Sequence, residues 1–191
     1  MQLTSEQQRI VRSGAARLAV QAGAGAAKTT TLCAYAQARP RSRVLYVAFN
    51  KAIQLEAAAR MPANVTARTT HSLAWRKARE LFGDRAGERV GSTYPSTVSR
   101  AFGCTPLAAT AALQAIQKWC GSLEAELGSE HLPVDVASRL PDPAGLVALA
   151  RAVWKRMVDA NEHEIRLTHD GYLKLYQMDR PVLRGFDLIA V

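Results

Sequence analysis

Residues 21–31 read QAGAGAAKTTT. They follow a short apolar run at residues 18–20 and precede a helical pattern that begins at Leu32. A strand, a loop of small residues, Lys-Thr and a helix form the arrangement in which backbone N–H groups surround phosphate oxygens. The ammonium group of Lys28 then brings a positive charge to the phosphates, and the hydroxyl of Thr29 can reach a Mg²⁺ ion. The stretch therefore predicts a phosphate-binding loop between a strand and a helix.

The loop departs from the usual phosphate-loop pattern at two positions. Ala27 stands where the pattern has the glycine before the lysine, and Ala22 stands at the first glycine position. An alanine-rich loop that merely precedes an ordinary helix is the alternative interpretation. If position 27 requires a positive φ, alanine costs about 1–2 kcal/mol there. If φ is negative, the cost is mainly crowding of the alanine Cβ against a phosphate.

Composition limits the class of protein. The chain has 191 residues, of which 48% are hydrophobic and 21% are charged, as is typical of a soluble globular protein. The three cysteines show no CxxC spacing and fit a reducing compartment, and the four histidines have no metal-ligand spacing. No stretch approaches the roughly 18 apolar residues of a membrane span. We expect a protein without membrane association, in the cytoplasm (nucleoid) if bacterial and in the nucleus if eukaryotic.

The positive charge is unevenly distributed along the chain. The net charge is +9, and residues 1–82 carry 13 Lys and Arg against 3 Asp and Glu, which gives +10. Residues 83–191 have a net charge of −1. A basic lobe that also carries the phosphate loop indicates a polyanionic partner, most simply nucleic acid. The alternative is a solvated, arginine-rich surface without a partner.

The first part of the chain repeats a strand–helix pattern. Thr4 and Gln7 form a capping-box pattern at the start of a helix. Apolar runs then predict strands at residues 17–22, 43–49 and 65–69, each followed by a helical pattern. Strands that alternate with helices predict a doubly wound α/β domain with a parallel sheet. Ligands bind such sheets at the carboxyl ends of the strands.

The second part of the chain changes character. Residues 83–91 are rich in glycine and charge and predict a linker. Helical periodicity without strand alternation then predicts a small helical lobe over residues 92–165. Its predicted helices, one further amphipathic helix and a final apolar strand lie at residues 107–119, 134–140, 145–158, 172–176 and 186–191.

Five segments carry recognisable motifs, in the order LTSEQQRIV, AGAGAAKTTT, VAFNKAIQLEA, ARTTHSLA, and THDGYLKLYQMDRP with FDLIAV. Together they resemble the N-terminal part of UvrD/Rep-like superfamily 1 DNA helicases, and the closest resemblance is to the F-box DNA helicase subgroup. The first resembles the adenine-reading Q motif and the second resembles Walker A. The third and fourth resemble motifs Ia and Ib, and the last resembles the stretch that leads into Walker B.

The resemblance implies an incomplete RecA-like P-loop NTPase domain, formed by residues 1–82 and 166–191, with a helical insertion at residues 83–165. It implies ATP and Mg²⁺ as cofactors, with Lys28 and Thr29 as catalytic residues and Thr29 reaching the metal ion. The residues that it places around the nucleotide are Gln7, Ala22, Gly23, Ala24, Gly25, Ala26, Ala27, Lys28, Thr29 and Thr30.

The resemblance also implies a DNA partner, either single-stranded DNA or a junction of single and double strands. It places Phe49, Asn50 and Lys51 of the motif Ia segment against single-stranded DNA. It places Thr69, His71 and Ser72 near the DNA backbone. For Phe49 the alternative is a core position at the end of a strand. Movement from 3′ to 5′ and a role in DNA repair or recombination follow from the resemblance alone.

The family has its Walker B carboxylates directly after the strand that resembles residues 186–191. We therefore expect that the 191 residues, taken alone, neither hydrolyse ATP nor unwind DNA. A degenerate, stand-alone nucleic-acid-binding module without ATPase activity is the alternative function. An unrelated small P-loop kinase or regulator is a third, against which the motif Ia and Ib segments argue.

Overall fold

A computed structural model describes residues 2–134 and 142–191. The chain forms two compact units, one of residues 1–70 with 182–191 and one of residues 71–181. The helix predicted at 134–140 lies, after Val134, outside the described residues. None of the helices in the described part is long and apolar enough to cross a membrane.

The first unit is built on a three-stranded parallel sheet. Its strands are β1 (Val44–Ala48), β2 (Val65–Thr69) and β3 (Leu188–Ala190), in the order β2-β1-β3. Val44 of the central strand stands opposite both Val65 and Leu188. β1 is the most buried of the three, and its Leu45 is fully buried. The predicted α/β class with a parallel sheet is confirmed, and the architecture is consistent with an incomplete RecA-like domain.

The helices predicted after the capping box and after each of the first three predicted strands are confirmed, although α2 begins at Lys28 and not at Leu32. Thr4 caps the first helix through a complete capping box with Gln7, and Asn50 caps the third by accepting a hydrogen bond from the backbone of Ile53. A fourth helix starts directly after β2 and continues into the second unit. The four are α1 (Ser5–Arg12), α2 (Lys28–Gln37), α3 (Lys51–Arg60) and α4 (Thr70–Phe82).

The side chain of Asn64 joins α2 to the sheet. Its amide nitrogen donates to the backbone carbonyls of Ala36, Arg39 and Ser42 at 3.0–3.2 Å. The backbone carbonyl of Asn64 accepts from the backbone N–H of Val44 at 2.9 Å. Asn64 therefore connects the end of α2 to the start of β1 through its side chain and its backbone.

Two strand predictions require correction. Residues 17–22 form no strand, and Leu18 and Val20 are 45% and 50% exposed. A strand needs a neighbour for its backbone groups, and none of the described strands pairs with these residues. The predicted strand at 186–191 is shorter, because Asp187 marks its start: its carboxylate accepts a hydrogen bond from the backbone of Arg43 at 2.7 Å.

The second unit is helical, as predicted for residues 92–165. The predicted helices at 107–119, 145–158 and 172–176 are confirmed. Beyond the part of α4 in this unit, the described helices are α5 (Ala86–Arg89), α6 (Pro95–Phe102), α7 (Pro106–Cys120), α8 (Pro143–Val158) and α9 (His169–Met178), with short 3-10 helices at Gly83–Arg85 and Ser129–His131. The large apolar core of the chain lies within this unit, and Trp119, Ile116 and Met157 are among its buried members.

The linker predicted at residues 83–91 is wrong. This segment is helical, and Arg89 in it is only 2% exposed. The two terminal nitrogens of the Arg89 guanidinium donate to the carbonyls of Met157, Asp159 and Ile165 at 3.0–3.3 Å, so most of its donors are paired although the residue is buried. The compact units divide at residues 70 and 182, whereas the predicted domains divide at 82 and 166; the functional assignment of those domains stays a prediction.

Glu162 stabilises the loop that follows α8. One carboxylate oxygen accepts from the backbone N–H groups of His163, Glu164 and Ile165 at 2.8–3.2 Å, and the other pairs with Arg156. Burial by itself raises the pKa of Glu162, but these hydrogen bonds outweigh burial and lower it to about 2. The ionised form is therefore the one that the folded unit favours.

We expect the second unit to lose stability as pH falls from about 4.5, the ordinary glutamate pKa, to about 2. A depressed carboxylate pKa contributes stability above the unfolded value, and a shift of this size is worth about 3 kcal/mol. Tryptophan fluorescence during urea unfolding measures this unit alone, because Trp75, Trp119 and Trp154 all lie in it. Glu162→Gln should lower stability at pH 6 and flatten the pH dependence.

The matched control is Glu126→Gln, because the Glu126 side chain is 89% exposed. Its unfolding profile should follow that of the wild-type chain. Equal pH dependence in Glu162→Gln and the wild type would show that another group dominates acid unfolding.

Candidate nucleotide site and nucleic-acid interface

The loop before α2 leads into a helix whose first backbone N–H groups have no partner within the helix. Ala27 precedes the helix in the left-handed region, with φ 52° and ψ 39°, and its side chain offers no cap. Gly25 also has a positive φ of 76°, which glycine adopts without strain. The first N–H groups of an α-helix have no intrahelical partner, so the start of α2 presents donors at its positive dipole end.

The loop and its lysine fit a phosphate group. A Cβ placed on Gly23 or Gly25 would meet no atom within 4 Å, so the space above the loop is open. Lys28 is exposed and its Nζ donates to the carbonyl of Gly23 at 2.9 Å, which places the ammonium over the loop. Thr29 is half-buried in the first turn of α2. Exposed N–H groups, an ammonium and a nearby hydroxyl are the donor set that a phosphate–Mg²⁺ group requires.

Gln7 lies beside this loop. Its Oε1 accepts from the backbone N–H of Thr4 at 2.9 Å, and its Nε2 donates to Oγ1 of Thr31 at 3.1 Å. The hydroxyl of Thr31 in turn donates to the carbonyl of Ala27 at 3.1 Å. The structure thus brings the predicted base-reading residue into one hydrogen-bonded chain with the phosphate loop, although the two are far apart in sequence.

Arg39 holds the Gln7 helix against α2. Its guanidinium donates to the carbonyls of Val11 at 2.9 Å and Ser13 at 2.6 Å, at the end of α1. The same group lies 3.7 Å above the ring of Tyr35. A guanidinium that is stacked on an aromatic face and hydrogen-bonded in its plane has little freedom left, so α1 is fixed in place.

Among the residues predicted to contact DNA, Phe49 is identified by the exposure of its side chain. It is 86% exposed directly after β1, so the alternative of a core position is wrong. Asn50 uses its side chain to cap α3, and Lys51 donates to Oε1 of Gln54 at 2.8 Å. Ala48 stands opposite Thr69 in the parallel register, so Phe49 and the end of β2 share one edge of the sheet.

His71 and Ser72 belong to the second unit, in the first turn of α4. Nε2 of His71 lies 3.5 Å from the Asp170 carboxylate, and its ring meets Tyr172 edge-on with a centroid distance of 5.9 Å. Burial, followed by the charge of Asp170, raises the pKa of Tyr172. His71 is therefore engaged with α9, and the described contacts do not bring it together with Phe49 in one unit.

The basic charge is concentrated in the first unit. Residues 1–70 and 182–191 contain 11 Lys and Arg against 3 Asp and Glu, a net charge of +8, whereas residues 71–181 have a net charge of +1. The unit that presents the phosphate loop and Phe49 is thus also the one with a positive field for polyanions.

Sequence reasoning missed three residues that position the predicted site. Thr31 and Arg39 hold Gln7 and its helix, and Asp170 contacts His71. The contact between Gln7 and Thr31 spans 24 positions, so no local pattern indicates it. The only available signal was the spacing of Thr31 four residues after Ala27, which permits a hydroxyl-to-carbonyl bond within a helical turn.

Comparison with curated proteins shows similarity to helicases. The chain is 31% identical over 210 residues to "F-box DNA helicase 1" of Gallus gallus, across all of this chain and 21% of that protein. It is 28% identical over 199 residues to "F-box DNA helicase protein 1" of Schizosaccharomyces pombe, across 92% of this chain and 22% of that protein. The chain is related to these helicases.

The chain spans about a fifth of the length of the two curated relatives. No family model matches the chain. No solved structure matches it either. The similarity therefore supports a helicase-related family and leaves the finer classification to the residues themselves.

The conformation of Ala27 generates a prediction about nucleotide affinity. Alanine at φ 52° is strained by about 1 kcal/mol or more, and glycine relieves this strain. Glycine lowers the free energy of the left-handed conformation relative to the other conformations of the free loop, so Ala27→Gly should strengthen ATP binding by up to about fivefold in isothermal titration. Ala38→Gly is the control, since Ala38 ends the same helix at φ −68°. Weaker binding by Ala27→Gly would show that strain at this residue supports the bound loop.

Proposed function

We propose that the chain is the ATP-binding and DNA-binding portion of an ATP-dependent DNA helicase of the UvrD/Rep-like superfamily 1. The observation that carries the proposal is the loop before α2, where Lys28 and the first helical N–H groups meet an open space. The similarity to F-box DNA helicases along the whole chain supports it. The DNA-helicase motifs of the sequence supply the finer classification.

Each residue of the nucleotide site has a distinct part in this proposal. Gln7 contacts the adenine base, and the loop donates its N–H groups to phosphate oxygens. Lys28 leaves the carbonyl of Gly23 and neutralises charge on the β- and γ-phosphates. Thr29 places its hydroxyl on Mg²⁺, which supplies further neutralisation when it is bound. In the complete helicase, hydrolysis of the bound ATP is coupled to movement along one DNA strand.

The first unit also carries the proposed DNA surface. A net charge of +8 attracts the phosphate backbone, and the exposed ring of Phe49 offers a stacking platform for a base. Such binding suits single-stranded DNA or the junction of a single strand with a duplex. Movement from 3′ to 5′ and a role in repair or recombination are the parts of the proposal that rest on the family resemblance.

We further propose that the polypeptide of residues 1–191 binds ATP without hydrolysing it. In these helicases the carboxylates that hold Mg²⁺ and orient the attacking water follow the strand that resembles β3. Hydrolysis needs such carboxylates and also an arginine from a second motor domain, which can contribute about 10³–10⁵ in rate. A phosphate-release assay with single-stranded DNA is the direct measurement.

One observation favours a second candidate, a nucleic-acid-binding module that does not use ATP. Ala27 takes the left-handed conformation at the position where phosphate loops carry glycine. A Cβ at that position also narrows the approach of a phosphate to the backbone. In this second candidate function the first unit still binds DNA, but Lys28 has no role in binding a nucleotide.

Replacement of Lys28 tests the nucleotide site. Lys28→Ala should weaken ATP binding in the presence of Mg²⁺ by about tenfold or more, because it removes a charge-assisted hydrogen bond. Isothermal titration calorimetry measures the change directly. Lys155→Ala is the matched control, since Lys155 is an exposed lysine of the second unit. Equal affinity of the wild type and Lys28→Ala would favour the module without ATP.

Replacement of Phe49 tests the DNA surface. Phe49→Ala should weaken binding of a labelled single-stranded oligonucleotide about tenfold, because base stacking contributes about 1–3 kcal/mol. The salt dependence of the affinity should stay unchanged, since the basic residues remain. Fluorescence anisotropy at two salt concentrations measures both. Leu123→Ala, at an apolar residue that is 90% exposed in the second unit, should have no effect. Unchanged affinity of Phe49→Ala would remove the stacking role.

A further inference from the structure

The amide of Gln7 is held at both of its polar atoms. We infer that Thr31 is a positioning residue: it orients Gln7 so that the site takes adenine nucleotides in preference to guanine nucleotides. This inference rests on the proposed nucleotide site and adds a residue whose role no motif assigns. It follows from the direction of three hydrogen bonds.

The first bond determines which polar atom of the Gln7 amide faces Thr4. The backbone N–H of Thr4 can only donate, so the Gln7 atom that meets it at 2.9 Å must be the acceptor Oε1. If the amide were turned over, its NH₂ group would meet the Thr4 N–H and two donors would face each other. The reciprocal bond of the capping box, from the Gln7 N–H to Oγ1 of Thr4, holds the same geometry.

The second and third bonds pass through Thr31. The carbonyl of Ala27 can only accept, so the Thr31 hydroxyl donates its single proton to that carbonyl at a distance of 3.1 Å. Oγ1 of Thr31 is then an acceptor for Nε2 of Gln7, at 3.1 Å. Thr31 is only 7% exposed, so water competes little for this position. One bond to Oε1 would leave the amide plane free to turn, and the bond to Thr31 fixes that plane.

The groups that remain on Gln7 decide which base fits. After these bonds Oε1 keeps one lone pair and Nε2 keeps one N–H. Adenine presents an acceptor at N7 beside a donor at N6, which matches this pair, whereas guanine presents two acceptors at N7 and O6. With guanine, the lone pair of Oε1 would face the oxygen O6. An amide that could turn freely would lose part of this discrimination.

The experiment compares ATP with GTP in four proteins of residues 1–191: the wild type, Thr31→Val, Thr31→Ser and Thr110→Val. Thr31→Val keeps the shape of the side chain and removes the hydroxyl, whereas Thr31→Ser restores it. Thr110→Val is the matched control, because Thr110 makes the same hydroxyl-to-carbonyl bond, to Pro106 at 2.8 Å, in a helix of the second unit. Isothermal titration gives both affinities, and thermal unfolding records stability separately.

We expect the wild type to prefer ATP by about tenfold, within the range of a bidentate base contact. Thr31→Val should lower the ratio of ATP to GTP affinity toward one, mainly by weakening ATP binding, while Thr31→Ser and Thr110→Val keep the wild-type ratio. Gln7→Glu retains the acceptor for Thr4 but loses the donor, so it should lose the preference as well.

Two results would overturn the inference and separate it from the proposed function. A Thr31→Val protein that loses stability but keeps the wild-type ratio would show a purely structural role for Thr31. Wild-type binding of ATP and GTP with equal affinity, still weakened by Lys28→Ala, would overturn base selection and leave the phosphate site intact. Absence of any nucleotide binding would overturn both proposals.

Discussion

The parallel pairing of β1 with both of its neighbours is the constraint on which the first unit depends. β3 joins β1 through Arg43 and Asp187, which are 144 positions apart, so the sheet closes only when distant parts of the chain meet. Parallel pairing also gathers the carboxyl ends of the strands at one edge. Phe49 and Thr69 come to the same edge for this reason, although they belong to separate motifs.

Side-chain hydrogen bonds from three residues hold α1, α2 and the loop of the candidate site together. Asn64 fixes the end of the helix, Arg39 fixes α1 against it, and Thr31 connects Gln7 to the loop. All three act by donating side-chain hydrogen bonds to backbone carbonyls at the ends of α1 and α2 or in the loop. The loop can therefore keep the strained conformation of Ala27, because its surroundings are determined by other bonds.

The two units differ in the size of their apolar cores and in their net charge. The large apolar core lies in residues 71–181, together with a buried arginine and a buried lysine that donate hydrogen bonds to backbone carbonyls. The first unit has a smaller buried interior and most of the positive charge. A high positive charge creates repulsion within the unit, which a polyanionic partner would offset.

The sequence by itself determined the α/β class, the positions of β1, β2 and most of the longer helices, and the loop before Lys28, because caps and hydrophobic periodicity are local signals. It did not determine residues 17–22, whose apolar run has no paired strand beside it, or residues 83–91, whose charge conceals the buried Arg89. Only the tertiary structure decided that Ala27 is left-handed and that Thr31 holds Gln7. Backbone strain and long-range hydrogen bonds depend on which segments of the chain come into contact, and local sequence patterns do not reveal those contacts.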